Sequence, residues 1–180
     1  KLLFKQYDFP KADVVVKAVG HQWYWTHEYP ELGVTFDSIM VKDEDLLKKE
    51  IGDAQFNTLY AKLPELERQK KMYADAQPLW QKNKMLRLLS VDNEIVLPVG
   101  KNIHVLTTAD DVIHNWTIPS FGVKSDAVPG RTLAMWFNAE KTGMYYGQCS
   151  ELCGKDHSAM PIAVRIVTEP VYNNWLAAMK

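Results

Sequence analysis

Apolar and polar positions alternate with a period near two over several short stretches of this chain. Residues 13–19 (DVVVKAV) are β-branched and alternate weakly, and residues 33–40 (GVTFDSIM) continue after Gly33. Residues 21–29 alternate strictly, with His21, Trp23, Trp25 and His27 on one face and Gln22, Tyr24, Thr26 and Glu28 on the other. The same signal returns at 94–98, 102–108, 111–118, 131–137, 143–148 and 160–167. Turn residues punctuate the runs, among them Asp92-Asn93, Asp110-Asp111, Pro129-Gly130 and Thr142-Gly143. Short strands at this spacing predict an all-β sandwich or barrel.

Residues 42–87 break the pattern. Leu47/Ile51, Leu59/Leu63/Leu66 and Met72/Tyr73 recur at helical intervals, with Lys and Glu between them. Two to four inserted helices are expected, with new helices beginning at Pro64 and Pro78. After Pro170, Val171, Trp175 and Ala178 predict a short C-terminal helix packed on the barrel. The whole of 1–180 reads as one domain carrying a helical insert.

Composition narrows the class of function. Forty-seven per cent hydrophobic and 24% charged residues describe a globular chain, which excludes disordered and collagen-like polymers. A net charge of −1 gives no basic excess for nucleic acid. The insert holds 10 basic and 8 acidic residues, so the β part alone is acidic by 3. No run of 18 apolar residues predicts a membrane span. The start, KLLFKQYDFP, reads as a processed or truncated end and not as a signal peptide.

Candidate chemistry concentrates in residues 148–161, QCSELCGKDHSAMP. Cys149, Cys153, His157 and Met160 lie within it, and His114 ends the upstream run DVIH. Taken alone, the two cysteines read as a disulfide, a redox pair or a copper-delivery pair. Two thiolates, two imidazoles and a thioether form a soft donor set that selects copper over hard cations. Two thiolates can bridge two copper ions, leaving one imidazole for each. Met160 would be a weak axial donor to one ion, and a carbonyl between the cysteines, that of Glu151, to the other. A closed ligand set of this kind leaves no position for substrate, which points to electron transfer. Trp25, His21, His27 and His104 read as structural, and Trp116 and Phe121 as apolar shielding around His114.

Three stretches together carry a resemblance: GHQWYW at 20–25, DVIHNWTIPSFGVKSDAVPGR at 111–131 and YYGQCSELCGKDHSAMPI at 145–162. They resemble subunit II of cytochrome c oxidase in its CuA domain, over roughly residues 12–40 and 88–178. The resemblance implies a cupredoxin-like Greek-key β-barrel holding two copper ions through His114, Cys149, the Glu151 carbonyl, Cys153, His157 and Met160. It implies that the Glu151 side chain offers a ligand to magnesium shared with oxidase subunit I, and that electrons from cytochrome c come in at Trp23. Asp111 and Glu28 match positions that would steer cytochrome c. A mitochondrial inner membrane complex follows, with the domain facing the intermembrane space, or a bacterial plasma membrane with the domain on the periplasmic side. The family begins with two membrane helices that this chain lacks, so an excised domain or a separate polypeptide carrying the helices is expected. The insert would contact other oxidase subunits. A copper chaperone or thiol-disulfide protein of oxidase assembly is the alternative.

Overall fold

A computed structural model describes residue 4 and residues 7–180. β1 (Val14–His21) and β2 (Tyr24–Tyr29) form a hairpin, and β3 (Val34–Ser38) extends it. Three helices follow: α1 (Asp43–Ile51), α2 (Asp53–Tyr60) and α3 (Glu65–Lys82). Then come β4 (Ile95–Pro98), β5 (Asn102–Ala109), β6 (His114–Ile118), β7 (Val123–Ala127), β8 (Leu133–Asn138), β9 (Gly143–Gln148) and β10 (Pro161–Val167). The chain closes with α4 (Glu169–Met179).

The strands form one five-stranded sheet, β3-β2-β1-β5-β8, a three-stranded sheet, β4-β10-β9, and the ribbon β6-β7. β1 pairs with β5, and β4 with β10, in parallel; the other ladders are antiparallel. Strands that are sequence-distant yet paired make this a cupredoxin-like sandwich, as the resemblance implies. Alternation supplies its core. Val14, Val16 and Ala18 of β1 and Ile103, Val105 and Thr107 of β5 point inward, where they meet Ile95, Leu97, Ile162, Val164 and Ile166. The buried Tyr29 hydroxyl ties the sheets together. It donates to the Val96 carbonyl at 2.9 Å and accepts the Val96 N–H at 3.1 Å. That pairing satisfies a polar group that would otherwise be costly to bury.

The insert has a core of its own, made from Leu46, Leu47, Phe56, Tyr60, Ala76 and Trp80. Asp43 anchors it, accepting the Trp80 indole N–H at 2.7 Å and a two-point contact from Arg87. Its two ends meet in a short antiparallel stem. Met40 faces Val91, and the Val41 N–H donates to the Ser90 carbonyl at 3.0 Å.

Four expectations need correction. Pro64 does precede a helix, but Pro78 lies inside α3. Its missing N–H leaves the carbonyl one turn earlier, at exposed Ala74, to water, while buried Ala76 and Trp80 hold the helix on the insert core. Residues 21–29 are not one strand. The chain turns at Gln22–Trp23, so His21 belongs to β1, and of the four residues only Trp25 and His27 lie on the buried face of β2, which Tyr29 completes. The strand expected at 111–118 starts at His114, because residues 111–113 form the approach to it. β7 was unanticipated; Lys124, Ser125 and Asp126 make VKSDA too polar to read as a strand.

His27 is fully buried and bonded at both ring nitrogens. Nδ1 donates to Ser38 Oγ at 2.9 Å, and Nε2 accepts the Trp116 indole N–H at 3.4 Å. Burial pushes its pKa down to about 3 from an ordinary 6.5. The unfolded chain therefore binds a proton that the folded chain refuses. The stability this gives is complete above pH 6.5 and is lost as pH falls from there toward 3. Lowering pH from 7 to 5 should cost about 2 kcal/mol through this group. Urea midpoints at the two pH values check it. His27→Asn should flatten that part of the slope, and an unchanged slope would remove His27 as its source.

Candidate metal centre

One loop and one strand bring the soft donors together. The loop leaves β9 at Cys149 and returns into β10 after Met160. Backbone bonds hold its base: Cys149 N–H donates to the Met160 carbonyl at 3.0 Å, and Ser150 N–H to the Asn115 carbonyl of β6 at 3.1 Å. The second of these places the loop beside His114, the first residue of β6.

Cys149 and Cys153 are both buried, unbridged thiols, their sulfurs 3.8 Å apart. Disulfide sulfurs would stand near 2 Å. Cys149 Sγ lies 3.9 Å from His114 Nδ1 and 3.3 Å from the Glu151 carbonyl oxygen. Cys153 Sγ lies 3.5 Å from His157 Nδ1 and 3.5 Å from Met160 Sδ. His114 Nδ1 and both sulfurs fall within 4.8 Å of one another. The six expected donors thus converge as two halves, each built on one cysteine, with the cysteines in contact.

His114 is presented in a defined tautomer. Its Nε2–H donates to Asp111 Oδ1 at 2.8 Å, which turns the Nδ1 lone pair toward Cys149. Asp111 is held in turn, accepting the Val112 N–H at 2.6 Å and the Gln22 N–H at 2.7 Å. Burial works against a charged Asp111, but these bonds, with that to His114 foremost, outweigh it and keep the carboxyl below its usual range. Burial likewise opposes an imidazolium at His114, yet the contacts with Cys149 and Asp111 raise its pKa. The thiols split. Burial raises both, but His114 and backbone bonds at Glu151 and Asn115 pull Cys149 down. Cys153, facing a neighbouring Cys149 thiolate, is driven up. Two such groups titrate as a pair.

Two buried sulfurs in contact, flanked by imidazoles whose nitrogens face them and by one thioether and one carbonyl, fit copper on donor chemistry.

The other expected residues fall as follows. Glu151 is exposed, while its carbonyl contacts Cys149. Trp23 is half-buried against the loop, since a methyl placed on Gly154 would stand 3.0 Å from its Cζ2. A cavity of about 320 Å³ opens beside it, lined also by Ile39, Met40, Lys42, Asp156 and Ala159. Trp25 is core, as expected, and meets His114 edge-on at 5.9 Å between ring centres. Trp116 is fully buried; Phe121 stacks on Phe137 and meets Tyr145 at a tilt. His21 and His104 bond away from the donor cluster: His21 Nε2–H to Thr26, with Nδ1 3.5 Å from the Asp110 carboxylate, and His104 Nε2–H to the Pro10 carbonyl. Glu28 pairs with Lys17 at 3.1 Å. Sequence reasoning gave Asp111 a steering role and missed its hold on His114; the three-residue spacing of an acid ahead of a candidate ligand was the available signal. Gln22 was missed outright.

The model of the cytochrome c oxidase subunit II periplasmic domain matches residues 14–60 and 60–167. Among curated relatives, cytochrome c oxidase subunit 2 of Cereibacter sphaeroides is 43% identical over 175 residues, covering 97% of this chain and 52% of that protein. That of Branchiostoma floridae is 39% identical over 180 residues, covering 99% and 63%. The chain therefore spans about half the length of the curated relatives it matches first. The crystal structure of the periplasmic domain of subunit II of cytochrome oxidase of Bradyrhizobium japonicum superposes with a TM-score of 0.69 at 43% identity, covering 94% of this chain and 95% of that one. A subunit II periplasmic domain caught in a mixed disulfide with a thioredoxin-like protein matches at 43% identity and a TM-score of 0.66, covering 96% and 94%. The sandwich, the loop it carries and these matches across nearly the full length agree: the chain belongs to the cytochrome c oxidase subunit II family, through its periplasmic domain.

Proposed function

We propose that the chain is the electron-receiving domain of a respiratory terminal oxidase. It takes single electrons from reduced cytochrome c into the binuclear copper centre CuA and hands them to heme in subunit I, where oxygen is reduced to water. His114, Cys149, the Glu151 carbonyl, Cys153, His157 and Met160 would hold the two ions. The observation that carries this reading is the convergence of those donors in two halves joined at 3.8 Å through the cysteine sulfurs. A two-copper centre, when bound, supplies reversible one-electron storage with small changes in its bonds.

The chain's own groups prepare that chemistry. Asp111 keeps the proton on His114 Nε2, so Nδ1 stays free to ligate. Buried Trp25, Trp116 and Met160 exclude water from one side of the cluster. Trp23 leans on the loop at Gly154, which supports its role as the port for cytochrome c. The exposed Glu151 carboxylate is free for a magnesium ion shared with subunit I. The domain would stand on the intermembrane-space face of the mitochondrial inner membrane, or the periplasmic face of a bacterial one. The insert would meet other oxidase subunits, and 1–180 would act as one unit. The rival, a copper chaperone or thiol-disulfide protein, needs no Met160 or His157 facing Cys153.

Loading the reduced chain with copper tests the proposal. Two coppers per chain, a purple colour and a near-infrared absorption band are expected. One ion per chain, zinc in preference to copper, or a cystine would overturn it. Trp23→Phe should slow reduction by cytochrome c at least tenfold, a barrier of about 1.4 kcal/mol or more, and leave the copper spectrum unchanged. Normal-speed reduction would remove Trp23 as the port.

A further inference from the structure

Gln22 sits at the turn between β1 and β2, exposed between half-buried His21 and Trp23, with no place in the donor set. It nevertheless touches both halves of the cluster. Its side-chain Nε2–H donates to the Cys153 carbonyl at 2.8 Å, across 131 residues of sequence. Its backbone N–H donates to Asp111 Oδ2 at 2.7 Å, and Asp111 holds His114. A methyl on Gly154 would stand 3.0 Å from Gln22 Nε2 as well as from Trp23, so loop, amide and indole are packed together. No other residue described here bonds directly both to the Cys153 side and to the carboxylate that orients His114.

We propose that Gln22 is a positioning residue that keeps the two halves of the donor cluster in register, its amide on the Cys153 carbonyl and its backbone on Asp111. The clamp rests on these two hydrogen bonds. Its effect on copper rests on the binuclear reading given above. Substitution leaves the backbone bond to Asp111 in place, so the His114 half serves as an internal reference while the Cys153 half is released. An equal sharing of one electron between two ions requires matched surroundings at both cysteines, and the loss of one carbonyl anchor unbalances them.

Gln22→Met keeps length and removes the donor. Gln22→Lys restores a donor on a flexible chain one bond longer. Gln22→Glu keeps shape without a donor, and covers the case in which the Met variant does not fold. In the metal-free chain, the amides of His157 and Ala159, which bond within the loop, should exchange about threefold faster in Gln22→Met and return toward the parent rate in Gln22→Lys. After copper loading, the spin-resonance hyperfine pattern should change from equal to unequal sharing in Gln22→Met, and recover in Gln22→Lys. Parent-like exchange and hyperfine in the Met variant would overturn the clamp. So would equal disturbance in Met and Lys variants, which would indicate packing alone. If the parent chain itself holds only one ion, the binuclear reading fails, while the exchange measurement still decides the clamp.

Discussion

Gly147→Ala should destabilise the chain by about 4 kcal/mol or more, a loss in the range that marks a backbone collision. Gly147 lies in β9, paired with Ile162 of β10, and is buried against β6. A methyl group there would stand 1.7 Å from the Thr117 carbonyl oxygen and 2.8 Å from its carbon. Both are backbone atoms, and Thr117 is tied to Lys124 in the β6-β7 ladder, so no side chain can swing aside. Relief requires β6 and β9 to part. At roughly 2–4 °C per kcal/mol for a chain of this size, the melting point should fall by about 8–16 °C. Gly33→Ala is the control. It has φ +67° and open space around it, so it should cost only about 1–2 kcal/mol, for the left-handed backbone. Equal losses at the two positions would show that the close approach is not the cause. The copper site should suffer with the fold, because Gly147 is two residues before Cys149 and Thr117 three after His114.

Replacing either cysteine by serine should abolish the two-copper centre. Serine matches the thiol in size, so the metal-free fold should lose only about 1–3 kcal/mol, the cost of burying a poorly partnered hydroxyl. The ligand chemistry changes far more, from soft thiolate to hard oxygen. Cys153→Ser removes the shared neighbour of Cys149, His157 and Met160 and should leave at most one ion, at Cys149 and His114. Cys149→Ser should leave at most one at Cys153, His157 and Met160. Metal analysis and the hyperfine pattern read both outcomes. Either variant retaining two coppers that share one electron would refute the bridge.

The site was more legible in the sequence than the frame that orients it. Cys149, Cys153, His157 and Met160 occupy twelve consecutive residues, so their chemistry could be read locally. Their arrangement in two halves follows from the loop's being pinned at Met160 and Asn115, contacts that spacing alone does not reveal. Gln22 and Cys153 are far apart in sequence, and no periodicity links them. The hairpin at Gln22–Trp23 went unread because it has neither Gly nor Pro and sits within an unbroken alternation. β7 went unread for the opposite reason, since only Val123 and Ala127 of its five residues are buried. The helical insert is plain from its period, but the sequence predicts a new helix at Pro78 because the burial of its neighbours on the insert core is a tertiary contact that no local pattern carries.

The stem at Met40 and Val91 has a consequence for how this family can vary. The insert leaves and rejoins its host at adjacent points, so its length exerts no pull on the strands beside it. Helices between Val41 and Ser90 can be added, trimmed or exchanged while the donor cluster in the sandwich keeps its dimensions. Change in the helical segment and constancy in the donor loop are thereby uncoupled within one polypeptide.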